Sequence, residues 1–152
     1  MGAMLSLNIA DNGFRVAVFN RTYARTKEFL ANEAADFADR ITPTETLEDL
    51  VQSIAKPRNI ILMVPAGDPV DQQIEALKPL LDDDDMIIDA GNANFHDTRK
   101  RAKALADEGR PYLGMGVSGG AEGARFGPSI MGGGSEEGWN RVSHILQAIS
   151  AK

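Results

Sequence analysis

The sequence predicts a doubly wound α/β fold, a parallel sheet covered by helices on both faces. Three observations predict it. Short runs that are apolar throughout (RVAVF, NIILMV, MIID) recur along the chain, and unbroken apolarity marks strands buried on both sides. Between them, apolar residues return every three or four positions, the spacing of an amphipathic helix. Strand and helix alternate rather than segregate, the order that builds a parallel sheet.

In chain order, Met4, Leu5, Leu7 and Ile9 form one wide apolar helical face, which Asp11-Asn12-Gly13 ends. Residues 15–19 are the next strand. Thr22 is placed to cap a helix running to about residue 35, with Phe29 and Leu30 facing inward. A brief strand is expected within 37–42. Thr46-Leu47-Glu48-Asp49 fits a capping box, and Leu47, Leu50, Val51 and Ile54 line up behind it until Pro57 stops the helix. Residues 59–64 form a second buried strand. Val70, Ile74, Leu77 and Leu81 mark a helix, 86–89 a strand, 97–108 a charged helix closed by Gly109, and 112–115 another strand. Trp139, Val142, Leu146 and Ile149 share one face of the last helix, where Trp139 is core material. There is no internal repeat and no low-complexity segment.

Composition excludes several classes of function. The 152 residues are 43% hydrophobic and 25% charged, an ordinary balance for one domain with a real core. A net charge of −6 supplies no basic stripe for nucleic acid. With no cysteine, disulfides, thiolate metal sites and a thiol nucleophile are excluded. The acidic run at 82–85 reads as a solvated turn rather than a metal site, since hard cations need several converging oxygens. His96 and His144 form no recognisable pair with an acid, although His96 adjoins the loop that follows residues 86–89. No apolar run approaches a membrane span and no basic signal start is present, so a cytoplasmic location is the default expectation.

Doubly wound folds bind ligands beyond the carboxyl ends of their strands. The stretches that matter are therefore Asn20-Arg21-Thr22, Pro65-Ala66-Gly67, Gly91-Asn92-Ala93-Asn94 and residues 116–127. In a dinucleotide fold an acid at the end of the second strand reads the free ribose of NAD, whereas an arginine accommodates the extra phosphate of NADP. Here Asn20 ends the strand and Arg21 follows. A literal G-x-G-x-x-G lies at 114–119, but "GAEGARFGPSIMGGG" behind it is too rich in glycine to open a regular helix, as a phosphate loop requires. The expected loop lies about 20 residues before Arg21, which falls on Met1-Gly2. Gly2 then reads as the third glycine of the fingerprint, and the first strand of this Rossmann-like sheet is expected to be missing from the chain.

"NRT", "DAGNANFHDT" and above all "GVSGGAEGARFGPSIMGGG", in order along the chain, resemble 6-phosphogluconate dehydrogenases, the decarboxylating enzymes of the pentose phosphate pathway. The resemblance implies an incomplete NADP-binding domain over residues 1–152, truncated at both ends, with a helical domain absent. It implies that Gly2 belongs to the phosphate loop and that Asn20, Arg21 and Thr22 hold the adenosine ribose and its phosphate. Val64, Pro65 and Ala66 would run along the cofactor. Asn92 would lie where nicotinamide and 6-phosphogluconate meet, and Ser118, Gly119 and Gly120 would hold the sugar acid. The family commonly has lysine where this chain has Pro65, so no amide donation is possible there.

The family's general base, a lysine, and its general acid, a glutamate, lie beyond the point that matches Lys152. No catalytic residue is therefore assigned in this chain, and it is expected to be inactive alone. Full-length family members are expected to be homodimers, with no nucleic-acid or membrane partner. Two alternatives stand beside this reading: a β-hydroxyacid dehydrogenase fragment and a non-catalytic nucleotide-binding module.

Overall fold

The computed structural model describes residues 2–65, 67–91 and 95–151, with Phe95 described by its backbone alone. Helix α1 (Gly2–Asp11) leads into β1 (Val16–Phe19), followed by α2 (Tyr23–Ala31), β2 (Ile41–Thr44) and α3 (Leu47–Gln52). Strand β3 (Asn59–Leu62), α4 (Asp68–Leu77), β4 (Met86–Asp89), α5 (Phe95–Asp107) and β5 (Tyr112–Ser118) come next. The chain closes with α6 (Gly120–Phe126), β6 (Ser129–Gly134) and α7 (Glu136–Ile149).

Among the described residues the strands form two sheets, β1-β2 and β3-β4-β5-β6, and β1 does not pair with β3. The ladders β1-β2, β3-β4 and β4-β5 are parallel. Two apolar clusters lie against the larger sheet. One joins Leu5 and Ile9 to Met86, Ile88, Leu113, Met115 and Val117, and to Val142, Leu146 and Ile149 of α7. The other joins Ile60, Leu62 and Ile87 to α3, α4 and α5 through Val51, Val70, Ile74, Leu77 and Leu105. Neighbouring residues of β4 feed different clusters because successive side chains leave a strand on opposite faces. Both faces are thus covered, as doubly wound topology requires.

A third cluster gathers Leu7 and Ala10 with Phe29, Ala34 and Ile41 around the smaller sheet. Helix α1 therefore serves two clusters at once, which explains its apolarity around most of its girth. Both Val16 of β1 and Ile61 of β3 pack against the cluster that holds Leu5 and Ile9. No helix among the described residues is long and apolar enough to cross a membrane.

Several expectations need correction. Helix α2 stops at Ala31 rather than near 35, where Asn32 turns both its N–H and its side-chain amide back to the Glu28 carbonyl. Thr22 stands at the N-cap but its side chain makes no capping bond. The brief strand begins only at Ile41 and contains Pro43, which β2 tolerates because it has a single neighbour and a missing N–H can face outward. The N-cap half of the capping box is present: Thr46 Oγ1 accepts the Asp49 N–H at 3.0 Å. Leu81 is buried as expected but lies beyond α4, which a tight turn through Pro79 ends.

The glycine-rich stretch departs furthest. It holds α6, and then β6, which runs antiparallel to β5 from Ser118↔Ser129 to Leu113↔Gly134. Gly119 (φ +119°) and Gly120 (φ +64°) turn the chain sharply after β5, a conformation that side chains with a Cβ rarely adopt. Beyond that turn a helix is anchored by Ala124, fully buried, whose carbonyl accepts from Asn8 Nδ2 at 3.0 Å. The sheet is therefore mixed at its β6 edge. The G-x-G-x-x-G at 114–119 does precede a helix after all. Its first two glycines nevertheless lie inside β5, paired with Gly133 and Met131, so they form strand and not loop.

The acidic run is only partly a solvated turn. Asp82, Asp83 and Asp84 are exposed, whereas Asp85 is buried and paired with Arg58.

Candidate functional site

Parallel pairing brings the ends of β3, β4 and β5 to one edge of the larger sheet, and the predicted residues that follow those strands gather there. Met63, Val64 and Pro65 leave β3, with Pro65 exposed. Ala90 and Gly91 leave β4. Gly91 lies flat against the preceding loop: a Cβ at this position would stand 2.5 Å from the Val64 carbonyl oxygen, a distance that real Cβ atoms do not reach. Ser118, Gly119 and Gly120 sit at the end of β5, all exposed. Gly2 joins this group from the other side, since α1 starts with the Cβ position of Gly2 3.5 Å from Met63 Cβ. That is ordinary van der Waals contact, so close packing of helix on strand end is present there without a steric demand for glycine.

Asn20, Arg21 and Thr22 lie at the carboxyl end of β1, on the smaller sheet, and all three are exposed. Asn20 Oδ1 accepts the Thr22 N–H at 2.9 Å, which folds the strand end back on itself. No ion pair among the described residues engages Arg21. Ala66 and Asn92 lie outside the described residues. His96 is exposed in the first turn of α5. His144, on α7, meets the edge of the Phe14 ring at 5.9 Å between centroids.

Beneath the loops lies a polar network that the sequence reading missed. Asp89, the last residue of β4, is buried and accepts the Gly91 N–H at 3.0 Å and the Tyr112 hydroxyl at 3.2 Å. Arg101 of α5 is also buried. It donates to both carboxylate oxygens of Asp71, at 2.7 and 3.2 Å, and to the Gly67 carbonyl at 3.1 Å. The hydrogen bond from Arg101 holds the Asp71 carboxyl below its usual range, and the same bond raises the guanidinium. Burial, followed by the negative charge of Asp89, pushes the Tyr112 hydroxyl well above its ordinary value, so it stays a proton donor. The only sequence signal for this network was two charged residues, Asp89 and Arg101, inside otherwise well-patterned elements.

An open depression of about 380 Å³ lies elsewhere, between Tyr23, Pro43, Thr44, Glu45, Asp49, Gln52 and Ser53. It contains none of the predicted residues, and its two carboxylates would repel a phosphate.

Comparison with known proteins shows the family and the fold. The family described as the NAD binding domain of 6-phosphogluconate dehydrogenase matches residues 1–152. A 6-phosphogluconate dehydrogenase, decarboxylating, from Haemophilus ducreyi is 55% identical over the whole chain, which spans 31% of that protein. A solved Plasmodium falciparum 6-phosphogluconate dehydrogenase, studied in its apo form and with NADP+ and with 6-phosphogluconate, superposes with a TM-score of 0.94 at 40% identity, over 100% of this chain and 32% of its own. A Mycobacterium tuberculosis 3-hydroxyisobutyrate dehydrogenase matches with a TM-score of 0.81 at 22% identity, over 100% of this chain and 49% of its own, a likeness of fold alone. The chain thus spans about a third of the length of the curated relative it matches.

Proposed function

Because the chain belongs to the family of the NAD binding domain of 6-phosphogluconate dehydrogenase, we propose that it is the cofactor-holding part of an NADP-dependent 6-phosphogluconate dehydrogenase. The reaction is the oxidative decarboxylation of 6-phosphogluconate to ribulose 5-phosphate, in which NADP, when bound, accepts the hydride. We propose further that residues 1–152 are one incomplete dinucleotide-binding domain, completed in the working protein by a further strand and by a helical domain carrying the acid and base. The working protein would be a cytoplasmic homodimer.

The observation that carries the reading is where polar and open groups lie. Exposed Ser118, with Gly119 and Gly120 turning behind it, ends β5, and exposed Arg21, in no ion pair among the described residues, follows β1. Between these lies a loop edge kept free of side-chain bulk by Gly91 against Val64. The residues present fit a dinucleotide. Arg21 offers a planar fork of donors for the ribose phosphate, and Asn20 and Thr22 stand beside it. The N-terminus of α1, beside Met63, would offer backbone N–H groups to the cofactor's phosphates. Val64, Pro65 and Ala66 would flank the nicotinamide half, with Asn92 orienting it. Ser118 and the backbone of Gly119 and Gly120 would hold the sugar acid's carboxylate.

The test is a chimera in which this chain replaces the aligned segment of the Haemophilus ducreyi relative. Reduction of NADP+ with 6-phosphogluconate, and none with 3-hydroxyisobutyrate, is the expected result. A folded chimera that binds no NADPH would overturn the reading, and the 1–152 chain alone should produce none.

A further inference from the structure

The loop that follows β3 and the residue that follows β4 are tied together from beneath by one guanidinium. Arg101 holds the Gly67 carbonyl directly and Asp71 through two bonds, while its Nη1 stands 3.8 Å from Asp89 Oδ2. Asp89 in turn holds the Gly91 N–H and the Tyr112 hydroxyl. Only arginine has the planar fork to address a backbone carbonyl and two carboxylates at once, whereas lysine offers a point charge.

The same two strands carry a second buried pair at their opposite ends. Arg58 precedes β3 and Asp85 precedes β4; the Arg58 N–H and Nη1 donate to Asp85 Oδ1 and Oδ2 at 2.7 and 2.8 Å. That pair ties strand start to strand start. Arg101, by contrast, spends its hydrogen bonds on a loop carbonyl and on Asp71, and its charge faces Asp89 at the ligand-facing end of β4. Duplicate stapling of one ladder does not require this, but a fixed separation between two loops does.

We propose that Arg101, acting with Asp89 and Tyr112, is a positioning residue for the dinucleotide: it sets the position of Gly67 relative to Gly91. The proposal rests on the reading that these loops flank the cofactor. Gly91 bears directly on the Val64 carbonyl, and loss of the tie frees Gly67 to shift relative to that contact. A displacement of about 1 Å near reacting atoms costs on the order of a hundredfold in rate.

The test uses the full-length chimera described above and four variants: Arg101→Met, Arg101→Lys, Tyr112→Phe and, as a comparison, Arg58→Met. Thermal midpoint, NADPH dissociation constant, and KM for NADP+ and for 6-phosphogluconate are measured on each. Arg101→Met should weaken NADPH binding and raise the KM for NADP+ by roughly tenfold or more, with a smaller change in the KM for 6-phosphogluconate. Arg58→Met should lower the midpoint at least as much and leave NADPH binding unchanged. Arg101→Lys should recover the midpoint better than the affinity.

Unchanged NADPH binding in Arg101→Met, with a midpoint loss like that of Arg58→Met, would overturn the proposal. Should Arg101→Met fail to fold, wild-type affinity in both Arg101→Lys and Tyr112→Phe would overturn it equally. A wild-type chimera that binds no NADPH would remove the functional reading and this proposal together, whereas binding by wild type and Arg101→Met alike would remove the proposal alone.

Discussion

Gly91 rests on the carbonyl oxygen of Val64, so closely that a single added methyl would stand 2.5 Å from it. The contact is backbone against backbone, and no flexible side chain is there to give way. Gly91→Ala should cost about 1–3 kcal/mol as overpacking. In the full-length chimera, cofactor affinity should fall with the thermal midpoint, because the strain can be relieved only by moving one of the loops. Loss of midpoint with wild-type NADPH affinity would show that the contact is structural alone.

Arg21→Ala should reduce the preference for NADP+ over NAD+. Loss of a charge-assisted bond to the ribose phosphate costs about 1.5–3 kcal/mol. Stability should not change, since Arg21 is exposed and in no ion pair among the described residues. Cofactor titrations with both dinucleotides check this, and equal affinities before and after the substitution would remove the assignment.

Ser118→Ala should lower kcat/KM with 6-phosphogluconate and leave the melting temperature nearly intact, because the side chain is exposed at the end of β5. The opposite pattern, normal kinetics with a lower midpoint, would make Ser118 a turn residue and nothing more.

Asp85 sets a limit on acid stability. Burial raises its carboxyl, but the Arg58 N–H, the Arg58 guanidinium and the Asp82 N–H outweigh that and leave it below its ordinary value of 3.8. A depressed folded value means that the contribution is complete above pH 3.8 and is lost as pH falls through the lower, folded value. Asp85→Asn should cost at most about 3–5 kcal/mol at neutral pH, because buried Arg58 then keeps only the half-exposed Asp82 carboxylate at 3.6 Å. Its midpoint should then fall less steeply between pH 4 and pH 2 than that of wild type, a comparison that thermal melts in that window decide.

Asn8 links three helices. Its Nδ2 donates to the Ala124 carbonyl of α6 at 3.0 Å and to the Ile149 carbonyl of α7 at 2.9 Å, and the residue is buried. Asn8→Ala leaves two buried carbonyls without a donor and should cost about 1–3 kcal/mol for each that water does not reach. The midpoint measures the loss; a change near zero would mean that water replaces the amide.

Periodicity made most of the architecture readable. Buried strands such as Met86–Asp89 open on three residues suited to two-sided burial, and Thr46 announced its helix by local chemistry that the fold kept. What escaped notice depends on long-range pairing. The strand through Met131 pairs with β5 across a glycine turn, and no short window encodes antiparallel pairing of that kind. Helix α6 was hidden because glycine lowers helix propensity, whereas burial of Ala124 against α1 overrides it. Ser118, Arg21 and the loop residues stood out in the sequence because they sit at strand ends, where topology places ligands. Asp89 and Arg101 were not, because a charged residue inside an amphipathic pattern looks like a solvated one until its partner's position is known.

The free edges of β1 and β3 have a further consequence. Among the described residues each strand has a single neighbour, and Val16 and Ile61 both pack against the apolar cluster that holds Leu5 and Ile9. Two such borders beside one apolar floor would suit an extended peptide, in the manner of strand donation between chains. A short apolar, β-branched peptide supplied in trans would act on this molecule as an agonist acts on a switch, with its concentration setting the fraction assembled by mass action. In a peptide's absence, other copies of the chain compete for the same borders, and complementation and clumping become rival fates drawn from one source.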